Sequence, residues 1–249
     1  MDLINLQNLK FPRFFVSGEL QVGENAVITG GDAVHIAAVL RMKAGEHIVL
    51  CGSEGFEYPS EIITVSKSEI ILSVKYKHKN DSEPKTYFRL FQCVPKGEKL
   101  DLIVQKATEL GVSEIIPVIS KRCVSRPGNK TNKISRLQKI TEQAAKQSGR
   151  GIIPKVHDFT DFKTALTLFN PANSGIIFYE NGGKRINEIF AENKNIDIFI
   201  GSEGGFDPEE IEAAKKAGLI PASLGRLILR AETAPIAAIS ILMNMTGEI

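Results

Sequence analysis

The apolar pattern in the second two thirds of the chain constrains its fold more than any other feature. Short runs that are apolar at consecutive positions, at 114–120, 175–180 and 196–201, alternate with segments of helical periodicity. A strand that is apolar on both faces must be covered on both faces, which is typical of parallel sheets. The sequence therefore predicts an α/β domain in which helices cover a mostly parallel sheet.

Helical periodicity and helix-terminating residues predict five helices in this part of the chain. They lie at 97–111, 132–147, 161–169, 208–217 and from about 232 onward. Two further strands are predicted at 86–94 and 222–224, which continues the alternation of strand and helix.

The first part of the chain has a different pattern, because short β-branched runs bounded by turn residues predominate there. These runs predict strands at 14–16, 46–52, 57–65 and 69–77. With one short helix at 31–42, they fit a small β-barrel. The polar segment 78–85 contains a proline and marks the change of pattern. We therefore expect two domains, at 1–76 and 77–249.

Composition excludes several classes of protein. Of the 249 residues, 43% are apolar and 24% are charged, which is typical of a globular protein and not of a disordered or fibrous one. The longest apolar stretch, at 234–243, is too short to cross a bilayer. Acidic Asp2 stands where a secretion signal carries positive charge. We expect a soluble, cytoplasmic protein without membrane association.

Cysteine and histidine give no sign of a metal site. The three cysteines are widely spaced, so they form neither a disulfide framework nor a zinc knuckle. The four histidines are scattered and include no HExxH motif. We therefore expect no bound metal.

Charge is unevenly distributed, although the whole chain carries only +2. Residues 96–155 contain 13 basic and 5 acidic residues, and the densest basic run is 121–139. A local positive field of this kind favours a polyanion such as nucleic acid. A solvated helix face with its adjoining loop explains the same run equally well.

Three glycine-containing or apolar loops follow predicted strands, at 179–183, 200–206 and 224–234. Ligands in open α/β sheets bind at the carboxyl ends of the strands, where such loops lie. The third loop places an apolar trio, Leu227–Leu229, between two arginines, as in a pocket wall. None of the loops matches a Walker A or a Rossmann signature. Glycine-rich turns after strands are also common for purely structural reasons.

Six motifs together resemble those of the ribosomal RNA small subunit methyltransferase E family, within the SPOUT superfamily. The resemblance covers nearly the whole chain, and the last two motifs are the most specific. The motifs are PRFFV (12–16), HIAAVLRMKAGE (35–46), KGEKLDLIVQKATELGVSEIIPV (96–118), QSGR (147–150), IGSEGGF (200–206) and LGRLILRAETA (224–234).

The resemblance implies a PUA-like, β-barrel RNA-binding domain followed by a SPOUT-type α/β domain with a deep C-terminal trefoil knot. It also implies a homodimer that uses S-adenosylmethionine to methylate N3 of a uridine in 16S rRNA. The cofactor-binding residues that it implies are Tyr179, Glu180, Gly201, Glu203, Gly204, Gly205, Leu224, Gly225, Ile228, Leu229, Arg230, Thr233 and Ala234.

Two positions depart from the family pattern. Ser202 stands where the family usually has proline, and Leu227 stands where it often has arginine. Arg226 lies one place earlier and is a candidate substitute for that arginine.

For catalysis we expect Arg230 to stabilise negative charge developing on the uracil oxygens. Glu232 would orient that arginine or accept the N3 proton. A structural salt bridge for Arg230 and helix capping for Glu232 are the alternatives. Candidate RNA contacts, with surface ion pairs as their alternative, are Arg13, Arg41, Lys121, Arg122, Arg126 and Arg150.

Two other functions are compatible with the sequence. A non-catalytic RNA-binding or ribosome-assembly factor on the same fold would not bind S-adenosylmethionine. A small-molecule α/β enzyme with an incidental basic patch would show no salt-dependent affinity for RNA.

Overall fold

A computed structural model describes residues 11–124, 128–189 and 195–249. It divides the chain into two compact units. The first contains the residues up to 83 together with 146–152, and the second contains 84–145 and 153–249. This division differs from the predicted domain boundary between residues 76 and 77. Segment 77–83 stays with the first unit because β6 (His78–Lys79) pairs with β4 (Phe56–Val65), and because Glu83 binds Arg150.

The first unit is built on one six-stranded sheet with the strand order β1-β3-β4-β5-β2. Pairing is antiparallel except between β1 and β3, and β6 lies beside β4. The strands are β1 (Arg13–Phe15), β2 (Asn25–Thr29), β3 (His47–Cys51), β4, β5 (Glu69–Val74) and β6. The predicted strand-rich first domain is confirmed.

The predicted short helix of this unit is divided in two. An α-helix, α1 (Gly30–Val34), continues into a π-helical turn, His35–Val39. Ile36, within the π-helical turn, is fully buried in the core of this unit, with Phe14, Leu50 and Leu72. The apolar face of the helical segment therefore covers the sheet.

The second unit is built on an eight-stranded, entirely parallel sheet with the order β10-β8-β7-β13-β11-β14-β12, and β9 pairs with β8. The strands are β7 (Tyr87–Cys93), β8 (Glu114–Ile119), β9 (Lys155–Val156), β10 (Thr160–Asp161), β11 (Ser174–Phe178), β12 (Lys184–Arg185), β13 (Asn195–Ile200) and β14 (Ile220–Ser223). In β7, β8, β11 and β13, consecutive residues are buried, so both faces of these strands are covered. The predicted parallel sheet is confirmed.

All five predicted helices of the α/β part are present. They are α2 (Lys99–Glu109), α3 (Lys130–Ser148), α4 (Phe162–Leu168), α5 (Pro208–Ala217) and α6 (Thr233–Met245). The sequence pattern did not predict the two-residue strands β9, β10 and β12, which are too short to have a periodicity. No helix among the described residues is long and apolar enough to span a membrane.

Glu57 is the centre of a buried polar cluster in the first unit. Its carboxylate accepts hydrogen bonds from the side chains of Arg13 and Asn80, and His78 Nε2 lies 3.3 Å from it. Burial alone would raise the pKa of Glu57, but the Arg13 and Asn80 hydrogen bonds and the charges of Arg13 and His78 lower it below its ordinary value. Glu57 is therefore ionised at neutral pH.

Two arginines that the sequence presented as RNA contacts are used inside the first unit. Arg13 Nη2 donates to Glu57 and also to the carbonyl oxygen of Arg150, at 3.2 Å. The Arg150 side chain is 5% exposed and pairs with Glu83 at 2.8 Å. Both guanidinium groups are thus held in ion pairs within the first unit, Arg13 partly buried and Arg150 buried, and their roles as RNA contacts stay predictions.

We predict that Glu57→Gln lowers the free energy of unfolding by about 3 kcal/mol at pH 7, because it leaves Arg13 buried without its counter-charge. Since the folded-state pKa of Glu57 is depressed, its contribution is present above the unfolded pKa, about 4.3, and is lost as the pH falls through the folded value. Thermal unfolding measured between pH 3 and pH 7 should therefore show that wild type is more stable than Glu57→Gln at pH 7 and that this difference shrinks in acid. An equal difference at every pH would contradict this role.

Candidate active site

Three loops meet at one edge of the parallel sheet, because they follow the adjacent strands β13, β11 and β14. They border a cleft of about 290 Å³. Phe178 and Ile200, the last residues of β11 and β13, lie at its base, and both are buried. The glycine turn 201–205 and the apolar loop 224–234 both border it. The arrangement is that of a ligand site at the carboxyl ends of parallel strands.

Most of the implied cofactor residues line this cleft. They are Tyr179, Glu180, Gly201, Glu203, Gly204, Gly205, Leu224, Gly225, Ile228, Leu229 and Ala234. Arg230 and Thr233 do not line it, and both are exposed. The Arg230 carbonyl instead accepts from the N–H groups of Thr233 and Ala234, at 2.9 and 3.0 Å, where α6 begins.

Seven further residues line the cleft: Phe178, Ile200, Ser202, Ser223, Arg226, Leu227 and Ala231. Five of them lie within the predicted loops, although the family resemblance did not assign them to the cofactor. Phe178 and Ser223 each lie one residue before a predicted loop and were missed. The family pattern directed attention away from Ser202 and Leu227, since both depart from it.

The glycine turn is closed by close packing of its backbone. Gly205 N–H donates to the Ser202 carbonyl at 2.9 Å, and Gly205 has a φ of +64°. The carboxylate of Glu180 occupies the space that a Cβ at position 205 would need. A side chain at this position would be strained by the left-handed conformation and would have to displace the Glu180 carboxylate. The same contact shows that the Glu180 carboxylate faces the turn.

Helix α5 fixes the far end of this turn. Asp207 accepts from the Glu209 N–H at 3.1 Å, while the Asp207 N–H donates to Glu210 Oε2 at 2.9 Å. This capping box, with Pro208 at the first helical position, starts α5 directly after Phe206. Phe206 itself is fully buried and anchors the turn in the core.

The loop between β14 and α6 carries unusual exposed apolar side chains. Leu227 is 81% exposed and Ile228 is 87% exposed, whereas Ala231 is buried. At the start of the loop, Ser223 Oγ accepts from the Gly225 N–H at 3.2 Å and donates to the Gly225 carbonyl at 3.1 Å. The loop is thus held at both ends and presents apolar surface between them.

Lys99 links the two loops that border the cleft. Its Nζ lies 3.0 Å from Glu203 Oε1 in the glycine turn and 3.1 Å from Glu232 Oε2 just before α6. Glu203 also accepts from the Lys96 N–H at 3.1 and 3.2 Å. The pKa of Glu232 is lowered by its own N–H, by Lys99 and by the charges of Lys99 and Arg230. Glu232 makes no side-chain capping bond to α6, so the capping alternative is not seen.

The remaining RNA-contact candidates have different surroundings. Lys121 Nζ lies 3.4 Å from Asp207 and 3.1 Å from Glu209. Arg122 Nη1 donates to the Gly204 carbonyl at 3.3 Å, so it supports the glycine turn. Arg41 is exposed and has a φ of +54°, directly after the π-helical segment. Arg126 lies outside the described residues.

Among the described residues, no group of three or more histidine, cysteine or acidic side chains is arranged to hold a metal ion. Cys51, Cys93 and Cys123 are free and buried. Burial raises the pKa of Cys51 to about 11. The cleft therefore offers backbone groups, apolar surface and two carboxylates: Glu180, which faces the glycine turn, and Glu203, which is paired with Lys99.

Comparison with known proteins identifies related sequences over both parts of the chain. Residues 82–243 match the family model of an RNA methyltransferase domain, and residues 28–75 match that of an RNA methyltransferase PUA domain. The chain is 34% identical to ribosomal RNA small subunit methyltransferase E of Bacillus subtilis, over 94% of this chain and 96% of that protein.

Solved structures of similar proteins contain a bound cofactor. Ribosomal RNA small subunit methyltransferase E of Neisseria gonorrhoeae, bound to S-adenosyl methionine, is 31% identical with a TM-score of 0.88, over 94% of this chain and 97% of that chain. A Legionella pneumophila methyltransferase in complex with the same cofactor is 28% identical, also with a TM-score of 0.88, over 95% of this chain and 98% of that chain.

We predict that Lys99→Met weakens S-adenosylmethionine binding about fivefold, because Glu203 and Glu232 then repel each other across the cleft. Lys99→Arg should retain wild-type affinity. Lys96→Met is the matched control, since it removes the same charge nearby while leaving the Lys96 N–H bonds to Glu203 in place. Titration calorimetry measures the affinity of all three variants for S-adenosylmethionine. Equal weakening of that affinity by Lys99→Met and Lys96→Met would refute the bridging role of Lys99.

Proposed function

We propose that this chain, which belongs to the ribosomal RNA small subunit methyltransferase E family, methylates N3 of a uridine in 16S rRNA with S-adenosylmethionine as the methyl donor. One observation carries the proposal. The two most specific sequence motifs, which are separated by helix α5 and strand β14, border a single cleft at the carboxyl ends of parallel strands of one sheet.

The cleft fits a nucleoside cofactor in size and chemistry. Its volume of about 290 Å³ is close to the lower range of small-molecule sites. The glycine turn offers backbone hydrogen-bonding groups without side chains, and Leu224, Ile228 and Leu229 offer apolar contact. The Glu180 carboxylate is an acceptor suited to the hydroxyl groups of a ribose. These residues would hold the cofactor.

S-adenosylmethionine supplies an electrophilic methyl group, and the protein must orient the uracil ring toward it. We assign most of the acceleration to this positioning, which converts a bimolecular step into an intramolecular one. The N3 position becomes nucleophilic when its proton leaves, and negative charge then spreads onto the uracil oxygens. Arg230 lies beside the cleft in the loop that leads into α6, where it would stabilise that charge.

We assign Glu232 to positioning, not to proton removal. Its depressed pKa makes it a weak proton acceptor, and its carboxylate already pairs with Lys99. The charge of Arg230 contributes to that depression, which places the two side chains within electrostatic reach. Glu232 would therefore hold Lys99 and orient Arg230 at the mouth of the cleft.

We further propose that the PUA domain and the basic surface of the methyltransferase domain each contact the RNA that carries the target. The target uridine must leave its stack to reach the methyl group. Arg41 supports this proposal, because its side chain is exposed and its own backbone has a left-handed φ of +54°, a conformation that is common at functional sites. Lys121 and Arg122 support it less, since their charges are shared with Asp207.

A homodimer in the cytoplasm completes the proposal. The exposure of Leu227 and Ile228 supports self-association, because monomers seldom leave neighbouring large apolar side chains uncovered. The trefoil knot that the resemblance implies stays a prediction.

We predict that Arg230→Ala lowers the rate of 3-methyluridine formation about 100-fold, as expected on losing one charge-stabilising donor, while S-adenosylmethionine affinity stays within about twofold. The measurement is nucleoside mass spectrometry of 16S rRNA, taken from cells lacking the protein and incubated with purified enzyme. Lys216→Ala, an exposed cation on α5, serves as the control and should leave the rate unchanged.

Two outcomes would contradict the proposed function. Wild-type protein that binds S-adenosylmethionine but forms no 3-methyluridine would exclude this reaction. Wild-type protein that binds RNA but not S-adenosylmethionine would instead support the non-catalytic assembly factor.

A further inference from the structure

We propose that a second cleft beside the first is a phosphate-binding subsite for the RNA backbone next to the target nucleotide. Arg185 and Arg226 are the residues that would bind the phosphate. The inference rests on the proposed function and extends it to the part of the substrate that the first cleft does not hold.

The second cleft is continuous with the first. Its volume is about 450 Å³, and it is bordered by the segment after β11 and by the loop after β14. Five residues line both clefts: Glu180, Ser223, Leu224, Gly225 and Arg226. A group bound in the second cleft would therefore lie directly beside whatever occupies the first.

Two guanidinium groups from separate segments converge on this cleft. Arg185 is the last residue of β12, and Arg226 is in the loop after β14. Both are exposed, and within the described part of the chain neither side chain has a carboxylate partner within ion-pair distance, although Glu188 accepts from the Arg185 backbone N–H at 3.3 Å. Lys99, Lys121 and Arg122, in the same unit, are all paired with acidic groups. Arg185 and Arg226 thus retain their full capacity to bind an anion.

The single carboxylate that lines the second cleft does not cancel this charge. Glu180 directs its oxygens against Gly205, on the side of the first cleft. No other acidic residue is among the residues that line the second cleft within the described ranges. The residues that line the second cleft therefore carry a net positive charge, whereas the lining of the first cleft is nearly neutral.

The backbone fixes Arg185 at the edge of the cleft. β12 pairs with β14 in a register that places Arg185 beside Ser223 and Lys184 beside Ala222. A Cβ at Gly183 would lie 2.7 Å from backbone atoms of Pro221, so the segment before β12 is packed directly on β14. Because side chains alternate along a strand, Lys184 points to the opposite face and does not line the cleft.

The chemistry of the cleft fits a phosphodiester and not the cofactor. Guanidinium groups bind phosphate oxygens in a fork geometry, often with two hydrogen bonds each. S-adenosylmethionine has no phosphate, whereas every nucleotide that flanks the target has one. Phosphate contacts position a nucleic acid without reading its sequence. Arg185 and Arg226 would accordingly set the register of the RNA over the first cleft.

The test compares Arg185→Gln and Arg226→Gln with Lys184→Gln, which removes the same charge one residue away on the opposite face. Affinity for a 16S rRNA fragment is measured at several salt concentrations. We expect each arginine variant to bind the RNA about tenfold more weakly than wild type. The slope of log K against log salt should become shallower by about 0.7, because one phosphate contact is lost. Lys184→Gln should keep the wild-type slope.

Calorimetry and steady-state kinetics separate this subsite from the proposed function. Both arginine variants should bind S-adenosylmethionine within about twofold of wild type and raise KM for RNA with little change in kcat. Unchanged salt slopes, or an equal loss in Lys184→Gln, would overturn the subsite while leaving methylation intact. A fivefold loss of S-adenosylmethionine affinity in Arg226→Gln would assign that residue to the cofactor cleft instead. Absence of methylation by wild type would reject the proposed function, and the salt slopes would still report on the subsite.

Discussion

The site depends on one constraint: β13, β11 and β14 lie side by side and point the same way. Parallel pairing places the ends of all three strands at one edge, so the loops that follow them become neighbours. The interiors of β11 and β13 are buried on both faces, which leaves their carboxyl ends as the positions where polar groups can reach a ligand. The cleft is a consequence of this order, and the glycine turn shapes it.

The Gly205 contact with Glu180 shows how closely the loops are fitted. One loop supplies a carboxylate, and the other supplies a glycine in the left-handed conformation against which that carboxylate packs. Lys99 then joins the glycine turn to the start of α6 from the outside. Backbone packing and ion pairing thus hold the loops from different sides, which pre-organises a site that must place two reactants within bonding distance.

Much of the fold could be predicted from the sequence, because buried positions are occupied by apolar residues in a pattern that is specific to strands or helices. The consecutive apolar residues of β13 predicted a strand that is buried on both faces, and the capping residue Asp207 predicted the start of α5. What could not be predicted depends on tertiary pairing. Nothing local distinguishes Arg13, buried against Glu57, from exposed Arg41, since the difference lies in a carboxylate more than forty residues away. The two-residue strand β12 has no periodicity, so Arg185 was not recognised as part of a site.

The most direct test of this site is a crystal structure of the protein with S-adenosylmethionine. We predict that the cofactor lies between the glycine turn 201–205 and the loop 224–234, with its ribose near the Glu180 carboxylate. A cofactor bound elsewhere on the protein, or a first cleft that stays filled by its own side chains at saturating ligand, would contradict it.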